Sequence, residues 1–275
     1  MVPKKLNSQQ PALLQWSSAY FLIIHGSRDP RPQAGLEKLV QQFDVSLSLL
    51  RELNPPSPDN SASSTLPLVG MGLLEFSSQS LDQQIRQFGE SAFATGLTQV
   101  QLLPLFLLPG KHVMEDLPAA VELARQSLDV RLELHLRPYL GSHPGITDLL
   151  ADQMATQSAT AWILLSHGSR RQGGNLLIQE LASTLGAVPA YWSVVRDLEM
   201  RIMELMAVGH YQIGILPYFL FSGSITDAIT QQVQWLRQQF SQIDLKLARP
   251  LEPNDKLVSL IVDLIQLPAC TSSIY

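Results

Sequence analysis

The chain has almost no sulfur chemistry and little charge. Cys270 is the one cysteine in 275 residues, so no disulfide can close within the chain and no cysteine-held zinc or iron–sulfur cluster can be built. That suits a reducing compartment. Charged residues make up 16 % and the formal net charge is −5, the opposite of the basic surface that nucleic acid selects. Long apolar runs are missing too. The most apolar stretch, Leu102 to Pro109, is broken by proline and is far shorter than the roughly 20 residues a spanning helix needs. The segment before Ser18 carries Lys4 and Lys5 but lacks the apolar centre of a signal peptide. These absences predict a soluble, cytoplasmic protein with neither nucleic acid nor membrane as partner. What the chain does have is apolar residues, 45 % of the total, enough for a substantial core.

The most telling stretch occurs twice. Phe21-Leu22-Ile23-Ile24-His25-Gly26-Ser27-Arg28 returns as Trp162-Ile163-Leu164-Leu165-Ser166-His167-Gly168-Ser169-Arg170, with 142 positions between the two histidines. A short apolar run that stops at glycine and polar residues reads as a buried strand feeding a tight turn. Pro104-Leu105-Phe106-Leu107 is likewise echoed by Pro217-Tyr218-Phe219-Leu220, and Arg137-Pro138 by Arg249-Pro250, now 113 and 112 positions apart. The chain is therefore an internal duplication. The extra length of the first half falls before its third strand, largely in the Pro/Ser/Asn stretch from Asn54 to Ser64.

Apolar runs at 20–24, 67–74, 99–108 and 130–136 alternate with amphipathic helical patterns, one after Asp29-Pro30 and one after Ser80. Strands at 161–165, 190–195, 212–221 and 244–247 repeat the arrangement. Alternation of this kind predicts an α/β fold of two homologous lobes, each a parallel four-stranded sheet flanked by helices. The expected division is a tail over 1–18, a first lobe over 19–143 carrying the active site, and a second lobe over 144–275 as its pseudo-repeat.

Ligands of open parallel sheets bind beyond the carboxyl ends of the strands. His25, Glu75 and His112 each follow such an end in the first lobe. Two imidazoles and a carboxylate suit Fe²⁺, Co²⁺, Ni²⁺ or Zn²⁺, and neutral imidazole is also the natural base near neutral pH. The second lobe keeps His167 but has Ser224-Ile225 where the first has Lys111-His112, so one complete site is expected. Glu115 and Asp116 need no further role, since acids stabilise a helix N-terminus. A histidine phosphatase, with Arg-His-Gly at its strand end, is disfavoured because Ile24 stands at the arginine position.

His25-Gly26-Ser27-Arg28-Asp29-Pro30-Arg31, followed by Leu103-Pro104-Leu105-Phe106-Leu107-Leu108-Pro109-Gly110-Lys111-His112-Val113-Met114-Glu115-Asp116, resembles the sirohydrochlorin chelatases. The likeness runs from Tyr20 to about Leu251. It implies a metal chelatase that inserts a divalent metal, Fe²⁺ first and Co²⁺ next, into sirohydrochlorin for sirohaem or cobalamin synthesis, with the macrocycle between two lobes. It also implies that His25 and His112 are catalytic, that His25, His112 and Glu75 hold the metal, and that no cofactor is needed beyond the substrate metal. Partners would be sirohydrochlorin and the metal ion. Ser27, Arg28, Lys111, Ser169 and Arg170 become candidates to bind the substrate's carboxylates. No histidine-rich tail or cysteine motif is present for metal delivery. The alternatives are a tetrapyrrole or metal carrier without turnover and a nickel-inserting relative, because fold alone does not fix function.

Overall fold

A computed structural model describes residues 18–53, 66–169 and 173–268; the 54–64 stretch, Arg170 and Cys270 lie outside the described residues. The first lobe comprises β1 (Ser18–Ile24), α1 (Arg31–Leu53), β2 (Val69–Leu73), α2 (Leu81–Ala94), β3 (Gln99–Pro104), α3 (Leu117–Ser127), β4 (Glu133–Leu136) and, counted with it by the repeat although it lies past the division expected at 143, α4 (Gly145–Ala155). The second comprises β5 (Ala161–Ser166), α5 (Leu176–Thr184), β6 (Val188–Tyr191), α6 (Asp197–Ala207), β7 (Gln212–Pro217), α7 (Ser224–Gln239), β8 (Asp244–Leu247) and α8 (Asp255–Gln266). Two four-stranded parallel sheets result, ordered β2-β1-β3-β4 and β6-β5-β7-β8. The duplication read from the sequence is therefore a duplication of the whole sheet.

Side chains alternate across a strand with period two, and β1 uses both faces. Tyr20, Leu22 and Ile24 turn inward to a core shared with Trp162, Leu164 and Leu216 of the other sheet, and with Leu39, Phe43 and Ile261 of the helices between them. Ala19, Phe21 and Ile23 turn outward onto α2 and α3, where Ile85, Leu117 and Val121 cover them. In the second lobe Ile163 and Leu165 do the same beneath Ile202 and Val233. The last helix of each half crosses over: α4 packs on β7, while α8 packs on α1 and β3. Neither sheet has its inner face covered by its own half alone, which locks the two lobes around one core.

Several strands are shorter than the apolar runs that announce them. β3 stops at Pro104 and β7 at Pro217 rather than at 108 and 221. Proline lacks a donor, and the chain there turns off the sheet after one more ladder bond, Leu105 N–H to Ile23 O at 2.7 Å and Tyr218 N–H to Leu165 O at 2.8 Å. The apolar residues past these prolines line the space between the lobes. β6 ends at Tyr191, and β4 starts at Glu133 after a turn in which Arg131 N–H donates to Asp129 Oδ1 at 2.9 Å.

One side of the interlobe space is clasped by charge. The Arg31 guanidinium, at the start of α1, donates to Asp29 Oδ2 at 2.6 Å and to both carboxylate oxygens of Asp227 in the first turn of α7, at 3.0 and 2.6 Å. Ser224 Oγ donates to Asp29 Oδ2 at 2.8 Å. These hydrogen bonds from Arg31 hold both carboxyl groups below the usual carboxylate range, with Ser224 adding to the effect at Asp29. A depressed folded-state pKa contributes stability that is whole above the unfolded value and disappears as pH falls through the folded value. The difference in Tm between the protein and Asp227→Asn is thus expected to stay constant from neutral pH to about pH 5 and to shrink below ~3.9, the ordinary aspartate value. Thermal melts across that range check it, and a difference undiminished at about pH 3 would contradict the linkage.

Candidate metal centre

In the order β2-β1-β3-β4 the chain reverses direction of growth between β1 and β3, the place where open α/β sheets form their ligand crevice. His25 leaves the end of β1, and His112 follows the loop after β3. Glu75 follows β2, drawn alongside His25 because its N–H donates to the His25 carbonyl at 2.8 Å. The Gln84 side chain secures the outer edge of β2 by bonding both backbone groups of Leu73, at 3.0 and 2.8 Å. Glycine at position 26 is required by contact as well as by conformation. Its φ is +90°, and a Cβ there would meet the Glu75 carbonyl oxygen at 2.0 Å. Phe76, with φ of +59°, turns the chain sharply after Glu75, a strained setting of the sort found at functional sites.

These three residues, spread over 87 positions of sequence, come together. One ligand atom from each of His25, Glu75 and His112 lies within 4.8 Å of the others. His25 Nε2 is 3.0 Å from His112 Nε2 and 3.8 Å from Glu75 Oε2, and the imidazole planes stand at 80°. The other ring nitrogens identify the tautomers. His25 Nδ1 is 3.0 Å from the Gly26 carbonyl oxygen, and His112 Nδ1 is 2.8 Å from Asp116 Oδ2. Both partners are acceptors, so Nδ1 of each ring is engaged as a donor and Nε2 of each is the nitrogen left facing the other ring. A first-row divalent ion bound tetrahedrally at ~2.0–2.1 Å would set the two nitrogens about 3.3 Å apart, a few tenths of an ångström from where they are.

Asp116 was expected only to stabilise a helix N-terminus; it in fact orients His112. The helix after β3 opens as a single π-helical turn, His112–Asp116, in which the Leu117 N–H reaches back to the His112 carbonyl. Such turns are rare and gather at functional sites. The resulting bond from His112 Nδ1 to Asp116 is the carboxylate–imidazole arrangement that fixes ligand histidines. Lys111 Nζ lies 3.8 Å from the other oxygen of Asp116. The four-residue spacing of His112 and Asp116 was the sequence signal for this pair.

His25 and His112 line a cleft of about 570 Å³ between the lobes, and Glu75 stands beside them outside its described wall. Its walls are apolar, with Leu105–Leu108 from the first lobe facing Tyr218–Phe221 from the second, and Tyr218 OH donating to the Leu107 carbonyl at 3.3 Å. Of the candidate substrate-binding residues, Ser27 lies on the cleft wall, and its Oγ accepts the Asp29 N–H at 3.0 Å. Arg28, Lys111 and Ser169 are not among the described wall residues. Arg28 stacks over Phe76 at 5.6 Å, and Ser169 is bridged through its backbone to Asn175 at 2.7 and 3.1 Å. A second cavity of about 410 Å³, by Tyr191, Trp192 and Asp197 of the second lobe, has no histidine on its wall among the described residues.

Hydrogen bonds relate the lobes residue by residue. Ser193 N–H donates to the His167 carbonyl at 2.9 Å, as Glu75 N–H does to His25, so Ser193 occupies the place of Glu75. Tyr218 and Leu105 correspond in the same way, which puts Ile225 at the place of His112, as the repeat spacing indicates. The loss of the second histidine was legible in the sequence; the loss of the acid was not, because the loops after β2 and β6 share no residues to align.

The CbiX family model matches residues 19–157 and 161–266. Among curated proteins, the chain is 23 % identical over 251 residues to the sirohydrochlorin cobaltochelatase of Priestia megaterium, covering 85 % of this chain and 74 % of that one. It is 21 % identical over 193 residues to the sirohydrochlorin ferrochelatase of the same organism, covering 66 % and 71 %. Its fold is that of SirB from Bacillus subtilis solved with Fe³⁺, at TM-score 0.69 and 17 % identity over 93 % of this chain and 97 % of that one. SirB from Bacillus subtilis subspecies spizizenii with cobalt superposes at TM-score 0.62 and 16 % identity, over 90 % and 94 %. A family model that spans both sheets and both repeats places the chain in the CbiX family, the sirohydrochlorin chelatases.

Proposed function

We propose that this protein inserts a divalent metal, Fe²⁺ first and Co²⁺ next, into sirohydrochlorin. The observation that carries the proposal is the pair of Nε2 atoms 3.0 Å apart, with the Glu75 carboxylate alongside, at the edge of an apolar cleft. The names of the two Priestia megaterium relatives include both metals, cobalt in one and iron in the other, and imidazole with carboxylate admits either ion.

The substrate is a flat macrocycle with apolar faces and a rim of carboxylates. The apolar cleft walls contributed by Phe106, Leu107, Phe219 and Leu220 suit the faces, while the open mouth leaves the rim to water and to nearby cations such as Arg28. His25, His112 and Glu75 are each one-third to one-half exposed, so an arriving ion need not be fully buried to bind. Three protein ligands with solvent exposure make an open site, from which a metal can be passed on, in contrast to the closed four-ligand sets of structural sites. Exchange of water and carboxylate for pyrrole nitrogens then moves the ion from the protein to the macrocycle. Asp116 keeps the His112 lone pair aimed at the metal throughout.

Anaerobic conversion of sirohydrochlorin, followed by absorbance with Fe²⁺ and Co²⁺ supplied separately, tests the reading. Turnover by the intact protein is expected, with His112→Ala lowering it by roughly 10²-fold or more. Stoichiometric binding of sirohydrochlorin or metal without turnover would make the protein a carrier instead. Asp116→Asn, which keeps the side-chain shape but loses the charge, is expected to weaken Co²⁺ binding and turnover together by about 10–100-fold. Metal titration alongside the rate assay checks this, and unchanged metal affinity would remove Asp116 from the site.

A further inference from the structure

The second lobe has lost the metal set but kept one of its members in place. His167 leaves β5 as His25 leaves β1, with the matching carbonyl hydrogen bond to Ser193 and with Gly168 repeating the positive φ of Gly26. Ser193 and Ile225 stand where a metal would need Glu75 and His112, so this lobe cannot assemble the same ligands. The His167 imidazole is nevertheless exposed and lines the same cleft from the lobe opposite His25 and His112. It has no side-chain hydrogen bond or ion pair among the described residues. Elsewhere His143 Nδ1 accepts the Gly145 N–H at 3.0 Å, and His210 Nδ1 lies 3.3 Å from Thr160 Oγ1. A structural histidine has such partners; His167 has an open ring facing the substrate space.

We propose that His167 is a catalytic residue, the proton acceptor for metallation, acting from the cleft wall opposite the metal ligands. This rests on the chelatase reading above. Insertion breaks two pyrrole N–H bonds and forms two nitrogen–metal bonds. Each N–H electron pair stays on its nitrogen and becomes the bond to the metal, two protons leave, and nothing is oxidised or reduced. His25 and His112 cannot accept those protons while holding the ion, because Nδ1 of each ring already carries hydrogen and Nε2 of each is given to the metal. A planar macrocycle between the two walls turns one face to that pair and the other to His167. The unprotonated nitrogen of His167 takes one proton, passes it to water from the exposed edge of its ring, and takes the second. The duplication thereby yields two different functions from one motif, metal delivery in the first lobe and proton removal in the second.

The test uses His167→Ala and His167→Gln in single-turnover conversion of sirohydrochlorin with Co²⁺, beside a Co²⁺ titration without tetrapyrrole. Metal affinity and sirohydrochlorin binding are expected to stay within about threefold of the intact protein, while the single-turnover rate falls by roughly 10²–10⁴-fold. Added imidazole should restore part of the His167→Ala rate, and sodium chloride at equal ionic strength should not. A rate within about twofold of the intact protein would overturn the proposal, as would a loss confined to sirohydrochlorin binding or one that imidazole does not relieve. If the intact protein itself fails to convert sirohydrochlorin, the chelatase reading falls, and this proposal with it; if it converts and His167→Ala is equally fast, only this proposal falls.

Discussion

Two imidazole Nε2 atoms are held 3.0 Å apart with a carboxylate beside them, and much of the first lobe is organised to hold them there. Each ring is pinned through its far nitrogen, His25 by the neighbouring Gly26 carbonyl and His112 by Asp116. The backbone behind them is fixed in turn. A glycine that leaves no room for a side chain lets the Glu75 carbonyl close against the β1 turn, and a π-helical turn places His112 and Asp116 on one surface. Nε2 of each ring and the Glu75 carboxylate form a group that could hold a cation without enclosing it. For a metal that must leave again, exposure is as useful as affinity.

The second constraint is that the cleft must keep its width. A sheet with one face covered by its own helices would leave two lobes free to move apart. Here the inner faces of both sheets share one core, and the last helix of each half packs on the sheet of the other. Arg31 ties α1 to α7 at one side through Asp29 and Asp227. What remains between the lobes is lined by the apolar residues that follow Pro104 and Pro217, in both cases residues the sheet could no longer use. The termination of two strands by proline thus furnishes the apolar walls of the cleft.

Much of this was legible in the sequence. The repeated apolar run ending in His-Gly-Ser gave the two lobes, the parallel sheets and the place of His25, because a buried strand and its turn leave a strong local pattern. The carboxyl-end rule then brought Glu75 and His112 to the same rim. Asp116 was missed, since an acid in the first turn of a helix has a sufficient local explanation and one extra residue in a helical turn leaves no trace in the apolar period. The over-long strands at 99–108 and 212–221 were misjudged for a related reason: apolar residues facing a ligand cleft look like apolar residues facing a core. Crossing of α4 and α8 between the lobes depends on which sheet face each helix covers, which no single segment encodes.

The central claim, that His25, His112 and Glu75 together hold the substrate metal, is most directly tested by X-ray absorption of Co²⁺ added anaerobically to the protein without tetrapyrrole. The account predicts two imidazole nitrogens and a carboxylate oxygen at ~2.0–2.2 Å, with one imidazole contribution lost in His112→Ala. A spectrum of fully hydrated cobalt, or one unchanged by that substitution, would contradict it.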